Sequence, residues 1–151
     1  MEFFQFEADF VDSLRCIPMQ VRFKLDTCGI KLKLSDWNHF SASARQALVD
    51  LPCTTETEIQ TYREFLQQLV QQYSGAPAAE LPVESYPAWL DSTTIPDSLQ
   101  QKAEEVGVKI TIPGWAALNP LQRFVLIKLS RPSHENKNFF PALQEFNLTN
   151  G

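Results

Sequence analysis

The densest polar run in this chain is Arg131-Pro132-Ser133-His134-Glu135-Asn136-Lys137-Asn138. A histidine beside a glutamate has three uses: proton relay, ligand pair, or a loop tie through hydrogen bonds. Cys16 follows Arg15, and a neighbouring guanidinium lowers a thiol pKa, so Cys16 is the redox candidate. Against it stands the plain reading of a small buried side chain, which also suits Cys28 and Cys53. Three cysteines at uneven spacing make no disulfide framework, and reduced thiols fit a cytosolic compartment. His39 and His134 are the only histidines, and no CxxC or HxxxH pair occurs, so no metal centre is expected. Phosphate loops, nucleophile elbows and dinucleotide fingerprints are missing, and all five glycines are isolated. Glu104-Glu105 reads as the solvated face of a polar helix.

Charge is unevenly spread. Residues 2–12 carry four acids and no base, and residues 15–33 carry five bases against Asp26. Residues 36–105 carry eleven acids against three bases, and residues 109–137 carry five bases against Glu135. A local basic face on an acidic protein suits docking to an acidic partner. The plainer account is a set of solvated amphipathic faces.

The elements that hold these residues follow from periodicity and caps. Phe3, Phe6, Phe10 and Leu14 fall at helical spacing. Pro18 opens a helix with Val21, Leu25 and Cys28 on one face, and Gly29 closes it. Ile30–Leu34 alternates as a short strand. Ser41 caps a helix to Leu51, ended by Pro52. Thr55 with Glu58 is a capping box that starts a long helix over 55–74, with Ile59, Tyr62, Phe65, Leu69 and Tyr73 as its apolar stripe and Gly75 as its stop. Residues 76–87 hold three prolines and read as a surface connection. Ile95-Pro96 opens a helix to Val106, Gly107 stops it, and 108–112 alternates as a second strand. Asn119-Pro120 starts a helix to about Ser130, and 141–146 forms a last short one with Phe146 inward.

Residues 17–51 and 95–129 match at an offset of 78, with nine identities and no gap. These include Pro18/Pro96, Lys24/Lys102, Gly29/Gly107, Lys31/Lys109, Trp37/Trp115 and Arg45/Arg123. The expected architecture is one domain over 1–151, mainly α, built from two internally duplicated helix–strand–helix units joined by the long helix. Its two short strands pair with each other as a small antiparallel β-ribbon, since neither is stable alone. That pairing gathers Lys31, Lys33 and Lys109. Trp37 and Trp115 are then core anchors, and Arg45 and Arg123 are first of all ties to carboxylates or carbonyls.

Composition bounds the rest. A chain of 151 residues with 44% hydrophobic and 21% charged residues is ordinary globular material. Its longest aliphatic and aromatic run is Phe124-Val125-Leu126-Ile127, far short of a membrane span. The acidic start, MEFFQFEADF, is unlike a secretory or organellar leader. A net charge of −5 argues against sequence-independent nucleic-acid binding.

Several strings resemble a known family. They are Phe6-Glu7-Ala8-Asp9-Phe10, Leu14-Arg15-Cys16-Ile17-Pro18-Met19, Val21-Arg22, Lys24-Leu25-Asp26, Gly29-Ile30-Lys31-Leu32 and Trp37. Further on come Gln122-Arg123-Phe124, Lys128-Leu129, His134-Glu135-Asn136, Pro141-Ala142-Leu143 and Glu145-Phe146. Together they resemble the conserved nitrate-reductase-associated proteins of cyanobacteria, over nearly the whole chain. The resemblance implies a cytoplasmic accessory protein of nitrate assimilation. It would support an assimilatory reductase that carries a molybdenum cofactor and an iron–sulfur cluster and draws electrons from ferredoxin.

The expected function is therefore non-enzymatic docking on nitrate reductase or on its cofactor-delivery proteins, with no cofactor, nucleic acid or membrane involved. The expected contact residues are Arg15, Arg22, Lys31, Lys33, Arg123, His134, Glu135 and Asn136. The rival is a small redox or cofactor-binding protein that acts on the molybdenum cofactor through Cys16 or His134.

Overall fold

Pro18, at φ −64° and ψ 154°, hands the chain to helix α1 (Met19–Cys28), as a residue locked near that φ is suited to do. The computed structural model describes residue 4 and residues 17–83, 87–131 and 138–149. These residues are mainly helical, with one small two-stranded antiparallel sheet. They divide into two compact units, residues 17–83 and Phe4 with residues 87–149.

In the first unit, α1 ends at Gly29, whose φ of 76° places it in the left-handed region. Strand β1 (Ile30–Lys31) follows, then α2 (Leu34–His39), α3 (Ala42–Asp50) and α4 (Glu56–Ser74). The Ser41 hydroxyl accepts from the Ala44 N–H at the start of α3. Thr55 and Glu58 form the expected capping box on α4, and Gly75 closes it at φ 81°. Helix α4 packs on α1, α2 and α3. Its buried row is Tyr62, Leu66 and Val70, with Ile59, Phe65 and Leu69 half-buried beside it. Tyr73, expected in that stripe, is 44% exposed and instead leans its ring on Phe40, 5.8 Å away. Trp37 is fully buried, as expected of an anchor.

The ribbon is present, but its pairing corrects the expectation. β1 pairs with β2 (Ala79–Glu80), with Ile30 opposite Glu80 and Lys31 opposite Ala79, and not with residues 108–112. Helix α4 decides this. Gln67 and Arg63 lie four apart on one helix face. Gln67 grips Ala78, its Nε2 donating to the carbonyl (3.3 Å) and its Oε1 accepting from the N–H (2.8 Å). Arg63 donates to the Cys28 carbonyl at 2.6 Å and pairs with the Glu80 carboxylate. Both strands are thus pinned to one helix. β1 stops at Lys31 because Lys33 already stands at the N-cap of α2.

The second unit runs from a 3₁₀ turn (Ala88–Leu90) through α5 (Asp97–Glu105), α6 (Ile112–Ala116), α7 (Pro120–Ser130) and α8 (Phe139–Glu145). Helix α7 packs on the 3₁₀ turn, α5 and α8. Residues 108–111 form no strand. The Gln100 side chain serves them instead: its Nε2 donates to the Ile110 carbonyl (2.8 Å) and its Oε1 accepts from the Ile110 N–H (3.1 Å). One amide thereby satisfies both polar backbone groups that a neighbouring strand would have satisfied. Thr111 then caps α6, and Asn119 with Gln122 forms a capping box on α7. Trp115 is fully buried and its indole N–H donates to the Asp91 carbonyl at 2.8 Å. Phe146 is turned inward against Phe4, edge to face at 5.4 Å.

Candidate functional site

The basic residues of the first unit arise from the turn between α1 and α2. Lys31 ends β1, and Lys33, two residues on, is the extended N-cap residue of α2. Both are exposed, and neither ammonium makes a hydrogen bond or ion pair among the described residues. Arg22 is half-buried and donates from Nε to the Ile17 carbonyl at 3.2 Å. Lys109 is exposed in the second unit, and the strand pairing that was to bring it beside Lys31 is not made.

Arg123 sits quite differently. It is 6% exposed, on the inner side of α7. Its guanidinium donates to the carbonyls of Leu118 (2.6 Å), Trp89 (2.9 Å), Trp115 (3.3 Å) and Ala116 (3.5 Å). A planar fork with five N–H donors suits such convergent carbonyls. This is the internal tie that the sequence suggests for Arg123. Arg45, its counterpart, is half-buried and donates from Nε to the Phe40 carbonyl at 3.2 Å. Arg15, Cys16, His134, Glu135 and Asn136 lie outside the described residues.

A second cluster escapes the sequence reading. Lys24 projects from α1 and donates from Nζ to the carbonyls of Val49 (2.7 Å) and Leu51 (2.6 Å), closing the end of α3. The same ammonium lies 5.6 Å from the centre of the Tyr62 ring. Burial lowers the Lys24 pKa, against the opposing pull of Cys53 and Asp50. The Cys53 thiol leans toward the Lys24 carbonyl at 3.9 Å, and the Cys28 thiol toward that of Leu25 at 3.7 Å. Burial pushes Cys53 up to about 12 and Cys28 up to about 11, so neither is a nucleophile at neutral pH. Tyr62 is raised as well, again by burial, and its hydroxyl donates to the Leu48 carbonyl at 2.8 Å. The cluster fastens α1, α3 and α4 through the chain's own carbonyls. Lys24 matched Lys102 in the sequence, but Lys102 pairs with Glu105 instead, so that signal is not specific.

Lys31 and Lys33 thus have no partner among the described residues, whereas Arg123 and Lys24 spend their charge on the chain's own carbonyls. No described helix is long and apolar enough to cross a membrane. Among the described residues no three His, Cys, Asp or Glu side chains gather as a metal site. A family model described as "conserved nitrate reductase-associated protein" matches residues 3–146. No curated protein and no solved structure matches the chain.

Proposed function

We propose, from the premise that the chain belongs to the conserved nitrate reductase-associated protein family, that it is a cytoplasmic, non-enzymatic accessory protein which docks on nitrate reductase or on the proteins that deliver its cofactor. In this reading it supports assembly, maturation or activity of the reductase and carries no cofactor of its own. The family match over residues 3–146 carries the reading. Lys31 and Lys33, exposed and without a partner among the described residues, support it, because charges that do no internal work there are available to steer and orient a partner.

The test is direct binding of the full chain to purified nitrate reductase, followed by biolayer interferometry at low and high salt. Saturable binding that weakens with salt is expected, with roughly tenfold loss on reversing both Lys31 and Lys33 to Glu. No binding to the reductase or to its cofactor-delivery proteins would overturn the reading.

A further inference from the structure

Several of the pairs matched 78 residues apart have an internal duty in both units. Gly29 and Gly107 hold positive φ, and Trp37 and Trp115 are fully buried. Arg45 and Arg123 bind the carbonyls of Phe40 and Leu118, and Ser41 and Asn119 cap helices.

Two matched pairs have no such duty. Lys31 and Lys109 are both exposed, and neither ammonium finds a partner among the described residues. Leu34 and Ile112 are each 49% exposed. Both are the first residue of a short helix, α2 and α6, three positions before the buried tryptophan. Among the described residues, the other exposed large apolar side chains, Tyr73, Val83 and Leu90, fall outside the matched segments. A single exposed leucine is ordinary. The same aliphatic exposure at the same step from the same unpaired lysine, in both units, is not accounted for by packing. In extended chain that step spans at most about 11 Å, within reach of one short segment.

We infer that each unit carries a docking point of the same chemistry, Lys31 with Leu34 in one and Lys109 with Ile112 in the other, and that the occupant is an acidic segment of the partner protein whose aliphatic side chains flank its carboxylates. The lysine supplies charge complementarity and the aliphatic side chain a small apolar anchor. The net charge of −5 leaves these lysines as local attractors on a molecule that otherwise repels acidic surfaces. The inference rests on the docking role proposed above, and it names what the docked surface must look like.

The test uses the full chain and two probes: purified nitrate reductase, and a synthetic peptide that repeats Ala-Glu-Glu-Leu-Leu three times. The variants are Lys31→Glu with Leu34→Ser, Lys109→Glu with Ile112→Ser, and all four together. The charge-only variants K31Q and K109Q serve should any of these misfold. Each double variant is expected to weaken binding of at least one probe by roughly tenfold, and the fourfold variant by more. Peptide binding that depends on these residues, without binding to the reductase, upholds the docking chemistry and defeats the choice of partner. The inference is overturned if neither probe binds, if the fourfold variant binds both unchanged, or if only one pair matters. It is equally overturned if these residues govern self-association of the chain instead, read by sedimentation.

Discussion

Arg123 donates to the carbonyl oxygen of Leu118 at 2.6 Å, the residue just before the Asn119 cap of its own helix. Arg45 makes the same reach to Phe40, just before the Ser41 cap of α3, at 3.2 Å. In both units a side chain from the first turn and a half of a helix ties down the chain that enters it. The second tie is deeper, because Arg123 is buried and holds three further carbonyls.

That depth sets an order of stability. Arg123→Ala strands buried carbonyls and is expected to destabilise the protein by about 2–4 kcal/mol. Arg45→Ala, at a half-buried site whose Nε donates to the Phe40 carbonyl, is expected to cost about 1 kcal/mol. Urea denaturation reads both. Equal midpoints for the two variants would show that Arg123 does no more than its counterpart.

Three of the described glycines have positive φ, yet they should not respond alike. A Cβ on Gly29 would stand 2.6 Å from Val83 Cγ2 and 2.9 Å from the Leu81 carbonyl oxygen, whereas Gly75 and Gly107 face open space. Gly75→Ala and Gly107→Ala should therefore each cost about 1 kcal/mol for the left-handed backbone alone. Gly29→Ala should lose more, since Val83 and the backbone at Leu81, just past β2, have to shift. Midpoint shifts of equal size in all three would contradict the close approach.

The start of α4 carries an acid-sensitive element. Hydrogen bonds from the Thr54 hydroxyl and from the Thr55 and Thr54 N–H groups hold Glu58 down to about 2, from an ordinary 4.5. A depressed carboxylate contributes stability that is fully present above its unfolded pKa and is lost as pH falls through the folded one. Part of the acid sensitivity should thus lie between pH 4.5 and about 2, and Glu58→Gln should remove that part. Thr55→Ala should cost about 1 kcal/mol at neutral pH. Urea midpoints across that pH range check both variants. A Glu58→Gln profile parallel to that of the parent chain would refute the part assigned to the Glu58 charge.

The buried thiols should be slow. Raised from 9.0 to about 11 and about 12, Cys28 and Cys53 keep thiolate fractions about 100-fold and about 1000-fold below those of free thiols. Iodoacetamide labelling, resolved by peptide mass spectrometry, should show native Cys53 and Cys28 at least that much slower than in urea. The same shifts predict a loss of stability as pH rises from 9 through about 11 and 12, because the unfolded thiols ionise first. Labelling of native Cys53 at the unfolded rate would place it outside the core.

What the sequence determined alone was whatever a residue settles with near neighbours. The Thr55–Glu58 and Asn119–Gln122 boxes, the Ser41 cap and the stops at Gly29, Gly75 and Gly107 each close within a few residues, so residue type and spacing suffice. Side-chain alternation was also readable: Val108 and Ile110 are buried while Lys109 is exposed, as a period of two requires. That pattern says which side chains turn inward and nothing about where the backbone hydrogen bonds go. The tertiary structure made that choice. Gln100 satisfied Ile110, and Arg63 and Gln67 carried residues 78–80 to β1. It also took Lys24 to carbonyls 25 and 27 residues away and left Lys31 in solvent, though both stood in one basic stretch. Local patterns do not encode such partners, because each depends on which helix face lies against which, and that is decided by packing the whole core at once.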